Sequence, residues 1–431
     1  MQLDLMGIKI NTETKPEVLR HLEDRFKLGT KTFIVTPYSE FFYYRCVNYK
    51  FRQALDRADL AIPDGITVLW LAHFLALPLK SRRYYCKIFE AFGQLLWSCS
   101  QILLAPQKIR DKIPEKIPGS DFFWDLMALA DQAGMKVFLL GGFGETPEIV
   151  ANKIRGKFSK INIVGHSNSG PAENLVEQIN ASGAELLAVA YGPVKQEVWI
   201  ADHIEQLNVK IAIGVGGTFD YIAGKKRQPP RFVRDSGLEW LYRLITQRRF
   251  KRIWIATYIF LRGALRHKVF MSMPFRQNVV GVILNSENKV FTGLSSRNKN
   301  KADRAGNLDE SHWQLPQGGI DQGEDPDQSV FREIREETAL TDLQIVGKIP
   351  NAYTYDWPHM IRPLWFNRLK FRGQSQSIYF LRYGGGDGGV KLDPHEFADF
   401  RWVPIRELEN QIHPMRRQML RLALAEINKY I

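Results

Sequence analysis

The sequence has little cysteine and no long uninterrupted apolar run. Its three cysteines, Cys46, Cys86 and Cys99, are odd in number and lack metal-like spacing, so we expect neither a disulfide framework nor a zinc knuckle. The first fifteen residues have no basic region followed by an apolar stretch, which argues against a secretory signal. We therefore expect a protein of the reducing cytoplasm.

What the sequence does contain is typical of ordered globular domains. Of its 431 residues, 45% are hydrophobic and 24% are charged. At about 100 to 200 residues per domain, this length predicts two or three domains. Changes in composition and residue pattern along the chain predict a first domain at 1–226, a basic and aromatic appendage and linker at 227–272, and a second domain at 273–431.

The positive charge is concentrated in one band. The net charge is +13, and thirteen basic residues against two acidic ones lie between Lys225 and Lys268. Such a band indicates an anionic partner, which is a phosphate group, an acidic lipid surface or a nucleic acid. The alternative is a merely solvated basic face.

The first domain alternates short apolar runs with helix-length amphipathic segments. Six runs end in glycine, proline or a polar residue, and they are KTFIVTPY, DLAIPDG, MKVFLLGG, INIVGHS, AELLAVAYG and VKIAIGVGG. Runs without alternation suit strands that are buried on both faces. We predict an α/β domain with a Rossmann-like, mostly parallel sheet and flanking helices, and a site just after the strand ends.

Two segments interrupt this alternation. The segment from Lys80 to Pro106 is aromatic and apolar but contains Glu90, Gln94 and Gln101, so we expect an interfacial or core-covering helix rather than a membrane span. A later segment has only nine uninterrupted apolar residues, 253–261, between basic clusters. That segment suits either the surface of a bilayer or packing on its own domain.

The second domain contains an acidic segment with helical spacing. Glu333, Glu336 and Glu337 stand at i, i+3 and i+4, so a helix projects all three carboxylates from one face. Like charges at this spacing repel unless a cation lies between them. Mg²⁺, or Mn²⁺, takes oxygen ligands and bridges to phosphates, so this pattern predicts a metal-dependent site for a diphosphate-containing substrate.

The acidic segment resembles the Nudix box, G-x5-E-x7-R-E-U-x-E-E-x-G-U, where U is apolar. Gly318, Glu324 and Arg332 occupy the fixed positions that accompany the three glutamates. Ala339 stands where the family has its last glycine, which normally supplies a left-handed turn. We expect Ala339 to cost roughly 1 kcal/mol and to leave the metal ligands untouched.

The resemblance extends over the tail of the chain, from about residue 275 to 431, and is closest to RNA pyrophosphohydrolases and dinucleoside polyphosphate hydrolases. It implies an α/β/α sandwich with a mixed sheet. It also implies that Glu333, Glu336, Glu337 and Glu396 bind metal, the last three as catalytic residues, and that Arg276 contacts phosphate. The implied reaction is attack of a metal-activated water on a phosphoanhydride of an RNA 5′ end or a dinucleotide.

The first domain has several motifs that are weak when taken singly. Asp64 follows an apolar run, where a carboxylate can serve as a base, although Asp-Gly is usually only a turn. The turns that begin at Gly141 and Gly214 could cradle a diphosphate with backbone amides. Together with YGPVKQEVW at 191–199, FDY at 219–221 and LEWLYR at 238–243, they resemble the WecB/TagA/CpsF glycosyltransferase family over roughly residues 3–255.

That resemblance implies transfer of an N-acetylmannosamine-type sugar from a UDP-sugar to a polyprenyl-diphosphate-linked acceptor, without a cofactor, at the inner face of the cell membrane. Asp64 would activate the acceptor hydroxyl, and Thr36 would line the site. The residues implied to border the nucleotide-sugar pocket are Lys195, Gln196 and Glu197, and the amides of Gly141 and Gly142 belong to the turn that could cradle the diphosphate. The concentration of charge, rather than the resemblance, gives the hypothesis that Arg243, Arg248, Arg249 and Arg252 neutralise diphosphate charge. Tyr38 stands where the family usually has Asn, which leaves open whether this chain uses the family's usual sugar and acceptor.

The two resemblances together predict a bifunctional fusion that associates peripherally with the membrane and can form homo-oligomers. The alternative is that only the Nudix domain is catalytic and the first domain binds a nucleotide sugar or a membrane. A further alternative for the basic band is delivery of RNA to the hydrolase. Salt would weaken RNA binding steeply, whereas membrane docking would require anionic lipid.

Overall fold

The computed structural model describes residues 1–168, 170, 174–230, 233, 242, 254–296, 313–357, 371–412 and 416–431. The chain divides into two compact units, Met1–Val269 and Phe270–Ile431. Three stretches of the basic appendage that the sequence predicts, 231–232, 234–241 and 243–253, lie outside the described residues, and they include Arg243, Arg248, Arg249 and Arg252.

The first unit begins with a hairpin and then builds one parallel sheet. The hairpin strands are β1 (Gln2–Leu5) and β2 (Ile8–Asn11). The six parallel strands are β3 (Thr32–Val35), β4 (Leu60–Ala61), β5 (Lys136–Gly141), β6 (Asn162–Ser167), β7 (Leu186–Ala190) and β8 (Ile211–Gly214), in the order β4-β3-β8-β7-β5-β6. Each strand coincides with one of the six apolar runs, so the predicted sheet is confirmed.

Helices cover both faces of this sheet. They are α1 (Lys15–Lys27), α2 (Ser39–Val47), α3 (Tyr49–Asp56), α4 (Ile66–Ala76), α5 (Tyr84–Leu104), α6 (Gly119–Ala133), α7 (Thr146–Lys157), α8 (Leu175–Ala181), α9 (Lys195–His203), α10 (Thr218–Ile222) and α11 (Phe260–Met271). Short 3₁₀ and π-helical segments span Lys108–Arg110 and Ile255–Ile259.

The strand side chains divide between two cores, one on each face of the sheet. In β8, Ala212 packs into one apolar cluster, whereas Ile211 and Ile213 pack into the other. In β7, Leu187 and Leu186 divide in the same way. Because both faces are buried, neither can hold a polar site, and polar chemistry is confined to the loops at the strand ends.

The second unit is built on a mixed sheet. Its strands are β9 (Phe275–Leu284), β10 (Lys289–Ser295), β11 (Trp313–Gln314), β12 (Gln317–Gly319), β13 (Leu343–Asp356), β14 (Gly373–Tyr383) and β15 (Phe397–Pro404). β9 and β14 pair in parallel, and the other pairings are antiparallel. The helices are α12 (Pro326–Thr338), α13 (Ile405–Gln411) and α14 (Arg417–Ile427), and Asp387–Gly389 forms a 3₁₀ turn.

The helices of the second unit lie on opposite faces of its sheet. Val279 of β9 packs with Val330 and Ile334 of α12 in one core. Val280, the next residue of β9, packs with Leu408 of α13 and Leu420 of α14 in the other. This arrangement confirms the predicted α/β/α sandwich with a mixed sheet.

Helix α12 begins and ends at identifiable signals. Asp325 caps its start by accepting the backbone N–H groups of Asp327 (2.8 Å) and Gln328 (3.3 Å). At its end, Ala339 has φ +58°, in the left-handed region that normally favours glycine, and its N–H donates to the carbonyl of Arg335. Alanine in this conformation carries a strain that glycine avoids.

We predict that Ala339→Gly stabilises the second unit by about 0.5 to 1 kcal/mol, because relief of strain exceeds the extra freedom of glycine in the unfolded chain. The matched control is Ala425→Gly, which is exposed inside α14 and is expected to destabilise by about 1 kcal/mol. Urea denaturation of the full chain should show shifts of opposite sign. A loss of stability in Ala339→Gly would contradict the strain argument.

Candidate functional sites

The first unit has a cavity of about 460 Å³ at the carboxyl ends of its parallel strands. Residues at or just after the ends of five strands line it: Thr36 after β3, Asp64 after β4, Gly142 after β5, Tyr191 after β7, and Gly214 to Gly217 at the end of β8. β3 and β8 are neighbours in the sheet, although β3 leads on to β4 at the other side. This is a switch point of the kind at which open α/β sheets bind ligands.

Thr36 and Asp64 converge at one point of this cavity. A methyl group at Gly119, the first residue of α6, would lie 3.3 Å from Asp64 Oδ2 and 3.5 Å from Thr36 Oγ1. The Asp64 N–H donates to the carbonyl of Pro37 (3.0 Å), and Gly65 then turns the chain into α4 with φ +125°. The carboxylate is therefore held at the strand end by backbone that glycine allows to turn sharply.

A chain of hydrogen bonds supports the opposite wall of the cavity. Gly216 N–H donates to Gln196 Oε1 (2.9 Å), and Gln196 Nε2 donates to Glu197 Oε1 (2.7 Å). Glu197 Oε2 accepts the N–H of Val194 (2.7 Å), a residue with φ +72° just before α9. Gln196 lines the cavity, whereas Glu197 stands behind it and fixes its position.

Glu197 is fully buried, and this burial raises its pKa to about 7. The N–H groups of Gln196 and Val194 oppose the shift by stabilising the carboxylate. The sequence motif indicates a pocket-bordering role for Glu197. The structure instead gives it contacts to Gln196 and to the backbone of α9, which orient the lining residue.

The glycine turn after β5 forms another part of the cavity. Gly141 and Gly142 have φ values of +94° and +92°, and Gly142 and Phe143 line the cavity. Lys225 Nζ donates to the Phe143 carbonyl (2.7 Å) and to Thr146 Oγ1 (2.6 Å). The beginning of the basic band thus anchors the glycine turn.

Several lining residues were not predicted as site residues from the sequence. They include Gly119, Ser120, Tyr191, Asp220, Lys226 and Gln228. Lys226 pairs with Asp220, and Gln228 Nε2 donates to Ser120 Oγ (2.8 Å). The basic band and the FDY motif pointed to Lys226 and Asp220, but nothing in the sequence distinguishes Gly119 or Gln228.

The candidate site of the second unit is organised around Arg332 on α12. Its guanidinium binds both carboxylate oxygens of Glu324, at 2.7 and 2.8 Å, and donates to the Gly319 carbonyl (3.0 Å). It also contacts Glu333 (2.8 Å) and the exposed Glu336 (3.2 Å). Arg332 lowers the pKa of Glu324 to about 2, so that carboxylate is ionised throughout the physiological range.

Two glycines of β12 let charged side chains approach the strand. A Cβ at Gly318 would occupy the space of the Glu333 carboxylate, and one at Gly319 would occupy that of the Arg276 guanidinium. Arg276 and Glu333 therefore reach adjacent positions on the same strand. Glycine at position 318 is what allows the Glu333 side chain to lie this close to the strand.

Glu337 lies deeper than its two partners on α12. It is 6% exposed and accepts the Gln317 N–H (3.1 Å). Burial, followed by the nearby charges of Glu396 and Glu333, raises its pKa to about 8. Arg416, a cation that the sequence analysis did not predict, lies close enough to oppose this shift.

The donor chemistry of this site fits a hard divalent cation. The carboxylate oxygens come from Glu333, Glu336, Glu337 and Glu396. Burial and the neighbouring negative charges disfavour the ionised form of Glu337, and a bound cation would favour that form. Within the described ranges, no group of three or more acidic, histidine or cysteine side chains is gathered closely enough to hold an ion. Arg332 instead holds two of the glutamates.

Comparison with known families decides the class of the first unit. The model of the glycosyl transferase WecG/TagA/CpsF family matches residues 3–99 and 95–273. The chain belongs to this family. The glycosyl transferase domain is an enzyme domain, and its matched range contains Thr36, Asp64, Gln196 and the whole described cavity.

The NUDIX domain model matches residues 274–423, so the transferase is fused to a Nudix hydrolase domain. A protein named RNA pyrophosphohydrolase from Gluconacetobacter diazotrophicus is 32% identical over 164 residues, which are 37% of this chain and 94% of that protein. One of the same name from Novosphingobium aromaticivorans is 33% identical over 168 residues, 38% of this chain and 98% of that protein.

A solved structure, the MutT protein from Methanosarcina mazei, is also similar to the Nudix part. It is 20% identical with a TM-score of 0.24, covering 37% of this chain and 98% of that one.

The predicted site residues of the transferase domain are placed in three ways. Thr36, Asp64, Gly142 and Gln196 line the cavity. Residues behind or beside the lining are the turn residue Gly141, the buried Glu197 and the exposed Lys195. Arg243, Arg248 and Arg249 lie outside the described residues. Tyr38, the departure from the family pattern, also lines the cavity and donates to Glu40 (3.2 Å).

Among the helices in the described part of the chain, none is both long and apolar enough to cross a bilayer.

We predict that Glu197 makes the transferase domain lose stability as pH rises from about 4.5 to about 7. In this window the unfolded chain releases the Glu197 proton while the folded chain retains it, so deprotonation favours unfolding. The loss approaches roughly 3 kcal/mol and levels off above about pH 8. Glu197→Gln should remove this fall in denaturation measurements across the pH range.

The exposed Glu205→Gln is the matched control and should retain the wild-type profile. A fall of equal size in Glu197→Gln would show that another group is responsible.

Proposed function

We propose that the first unit transfers an N-acetylmannosamine-type sugar from a UDP-sugar to a polyprenyl-diphosphate-linked acceptor. The observation that carries this proposal is the convergence of Asp64 and Thr36 in the cavity of a WecG/TagA/CpsF domain. The proposed reaction joins the acceptor oxygen to the anomeric carbon, breaks the bond from that carbon to the UDP oxygen, and releases UDP.

Each wall of the cavity has a proposed role in this reaction. Asp64 Oδ2 takes the proton of the acceptor hydroxyl as its oxygen attacks. The backbone N–H groups of the turns after β5 and β8 bind the diphosphate of the donor. Lys226, together with Arg243, Arg248 and Arg249, balances the charge that develops on departing UDP. These cations support a transfer without a metal cofactor.

We propose that the second unit hydrolyses a phosphoanhydride of an RNA 5′ end or a dinucleoside polyphosphate. The two relatives named RNA pyrophosphohydrolase, each matched over nearly its full length, favour the RNA 5′ end. A bound Mg²⁺ or Mn²⁺ would neutralise the diphosphate and activate water. Glu333, Glu336, Glu337 and Glu396 would hold the ion.

The neighbouring residues of this chain have positioning and binding roles. Arg332, fixed by Glu324, orients Glu333 and Glu336 and releases them to the ion. Arg276 lies against Gly319, beside Glu333, and contacts a substrate phosphate.

The location that best fits both activities is the cytoplasm, with peripheral attachment to the inner face of the cell membrane, where a polyprenyl acceptor resides. The second candidate is a first unit that only binds a nucleotide sugar or a membrane, with catalysis confined to the Nudix unit. Tyr38 in the cavity favours this candidate, because it replaces a residue of the family pattern.

We predict that Asp64→Asn lowers sugar transfer by about 10² to 10⁴, because asparagine cannot take the acceptor proton. The measurement is the release of UDP and the formation of lipid-linked product from UDP-N-acetylmannosamine and a polyprenyl-diphosphate-linked acceptor. Asp56→Asn, at an exposed ion pair with Arg45, is the matched control and should transfer at the wild-type rate. Unchanged transfer in Asp64→Asn would remove this residue from catalysis.

We predict that Glu336→Gln lowers Mg²⁺-dependent hydrolysis of 5′-triphosphorylated RNA by about 100-fold or more, since one charged ligand is lost. The readouts are pyrophosphate or phosphate release and Mg²⁺ affinity by titration calorimetry. Glu409→Gln, which only loses an exposed pair with Arg421, should retain both. Hydrolysis that persists in Glu336→Gln, or that ignores chelation of Mg²⁺, would contradict the assignment.

A further inference from the structure

Helix α5 carries apolar side chains on its outer face as well as on its inner face. Its inner face buries Ala91, Leu95, Ser98 and Gln101, and Ser98 Oγ accepts the indole N–H of Trp70 (3.0 Å). Its outer face presents large apolar side chains that are between 49% and 83% exposed, and they are Tyr85, Phe89, Phe92, Leu96, Trp97, Leu103 and Leu104. The outer face of a helix in a soluble domain is ordinarily polar.

The exposed side chains form a continuous stripe. Tyr85, Phe89, Phe92, Leu96 and Leu103 are spaced by four, three, four and seven residues, so they share one face of a helix about 30 Å long. Trp97 and Leu104 extend one side of the stripe. An exposed apolar surface of this extent marks a binding face for a protein or a membrane.

The charges around the stripe favour an anionic partner. Exposed basic residues stand at both ends of α5: Lys80, Arg82 and Arg83 before it, and Lys108, Arg110 and Lys112 after it. The exposed Asp111 pairs with Lys112 (3.9 Å) and leaves the second group net positive. The one acidic residue within α5, Glu90, accepts the backbone N–H groups of Lys80 and Ser81 (both 2.9 Å). A second copy of the chain fits poorly, because pairing α5 with itself in either direction brings basic ends together.

We propose that α5 is a membrane-binding surface, which lies in the plane of an anionic phospholipid layer with its apolar stripe below the headgroups. The aromatic side chains and basic ends match the composition of interfacial helices. Such a surface would bring the cavity to a lipid-linked acceptor. Its biological meaning rests on the proposed sugar transfer. It does not depend on the basic appendage at 227–272.

The first test is co-sedimentation of the full chain with vesicles. Wild-type protein should bind vesicles that contain phosphatidylglycerol and bind weakly to pure phosphatidylcholine. In Phe89→Glu/Leu103→Glu, the partition coefficient should fall on the order of tenfold or more. The matched control, Leu28→Glu/Val47→Glu, places the same charges at exposed apolar positions away from α5 and should bind as wild type does.

A second test needs no substitution. Cys86 is exposed on α5, whereas burial raises the pKa of Cys46 and raises that of Cys99 to about 11, so a thiol reagent at neutral pH prefers Cys86. A polarity-sensitive fluorophore at Cys86 should shift its emission to the blue with phosphatidylglycerol vesicles. An unshifted label on vesicle-bound protein would overturn the proposal.

The other outcomes each decide a point. Absence of vesicle binding by wild type, or equal binding by the α5 variant, overturns the proposal. A dimer in sedimentation velocity that dissociates in the α5 variant, without vesicle binding, assigns the stripe to a second copy instead. If wild type binds vesicles through α5 but transfers sugar to no acceptor, in vesicles or in solution, the proposed function fails and the membrane surface stands.

Discussion

Burial of both faces of the parallel sheet is the constraint on which the transferase unit depends. Adjacent residues of β7 and β8 enter opposite cores, so each strand is apolar along its length. Ligand-binding groups are then confined to the turns that follow the strands. The convergence of Thr36 and Asp64, and the support of Gly216 by Gln196, are consequences of this confinement.

The Nudix unit depends on a different interaction, the pairing of one guanidinium with several carboxylates. Arg332 holds Glu324 with two hydrogen bonds and reaches Glu333 and Glu336 from the same helix. This pairing keeps a strongly acidic helix face stable in the absence of a cation. Burial, followed by the charges of Glu396 and Glu333, raises the pKa of Glu337, and a divalent cation at the site would favour its ionised form.

Much of the fold could be predicted because its signals are local. The six apolar runs became β3 to β8, and the spacing of Glu333, Glu336 and Glu337 placed them on one helix. The lining residues Gly119 and Gln228 could not be predicted, because only the tertiary fold brings them beside Asp64 and Ser120. The positioning role of Glu197 was likewise hidden, since its burial is not encoded in the adjacent sequence.

The helix at 84–104 shows the limit of composition as a guide. Its apolar content indicated an interfacial or core-covering helix, and both readings use the same residues. In the structure α5 covers the core with one face, where Leu95 is buried, and exposes Phe89 and Leu103 on the other. The sequence shows the helical period of the apolar residues. Only the packing beneath the helix shows which of them face outward.

We propose that the two domains of this chain carry independent active sites. The most direct test measures each activity in the variant of the other site: hydrolysis of triphosphorylated RNA in Asp64→Asn, and sugar transfer in Glu336→Gln, both in the full chain. We expect wild-type hydrolysis in the first variant and wild-type transfer in the second. Loss of both activities in either variant would contradict it and indicate a single shared site or a coupled reaction.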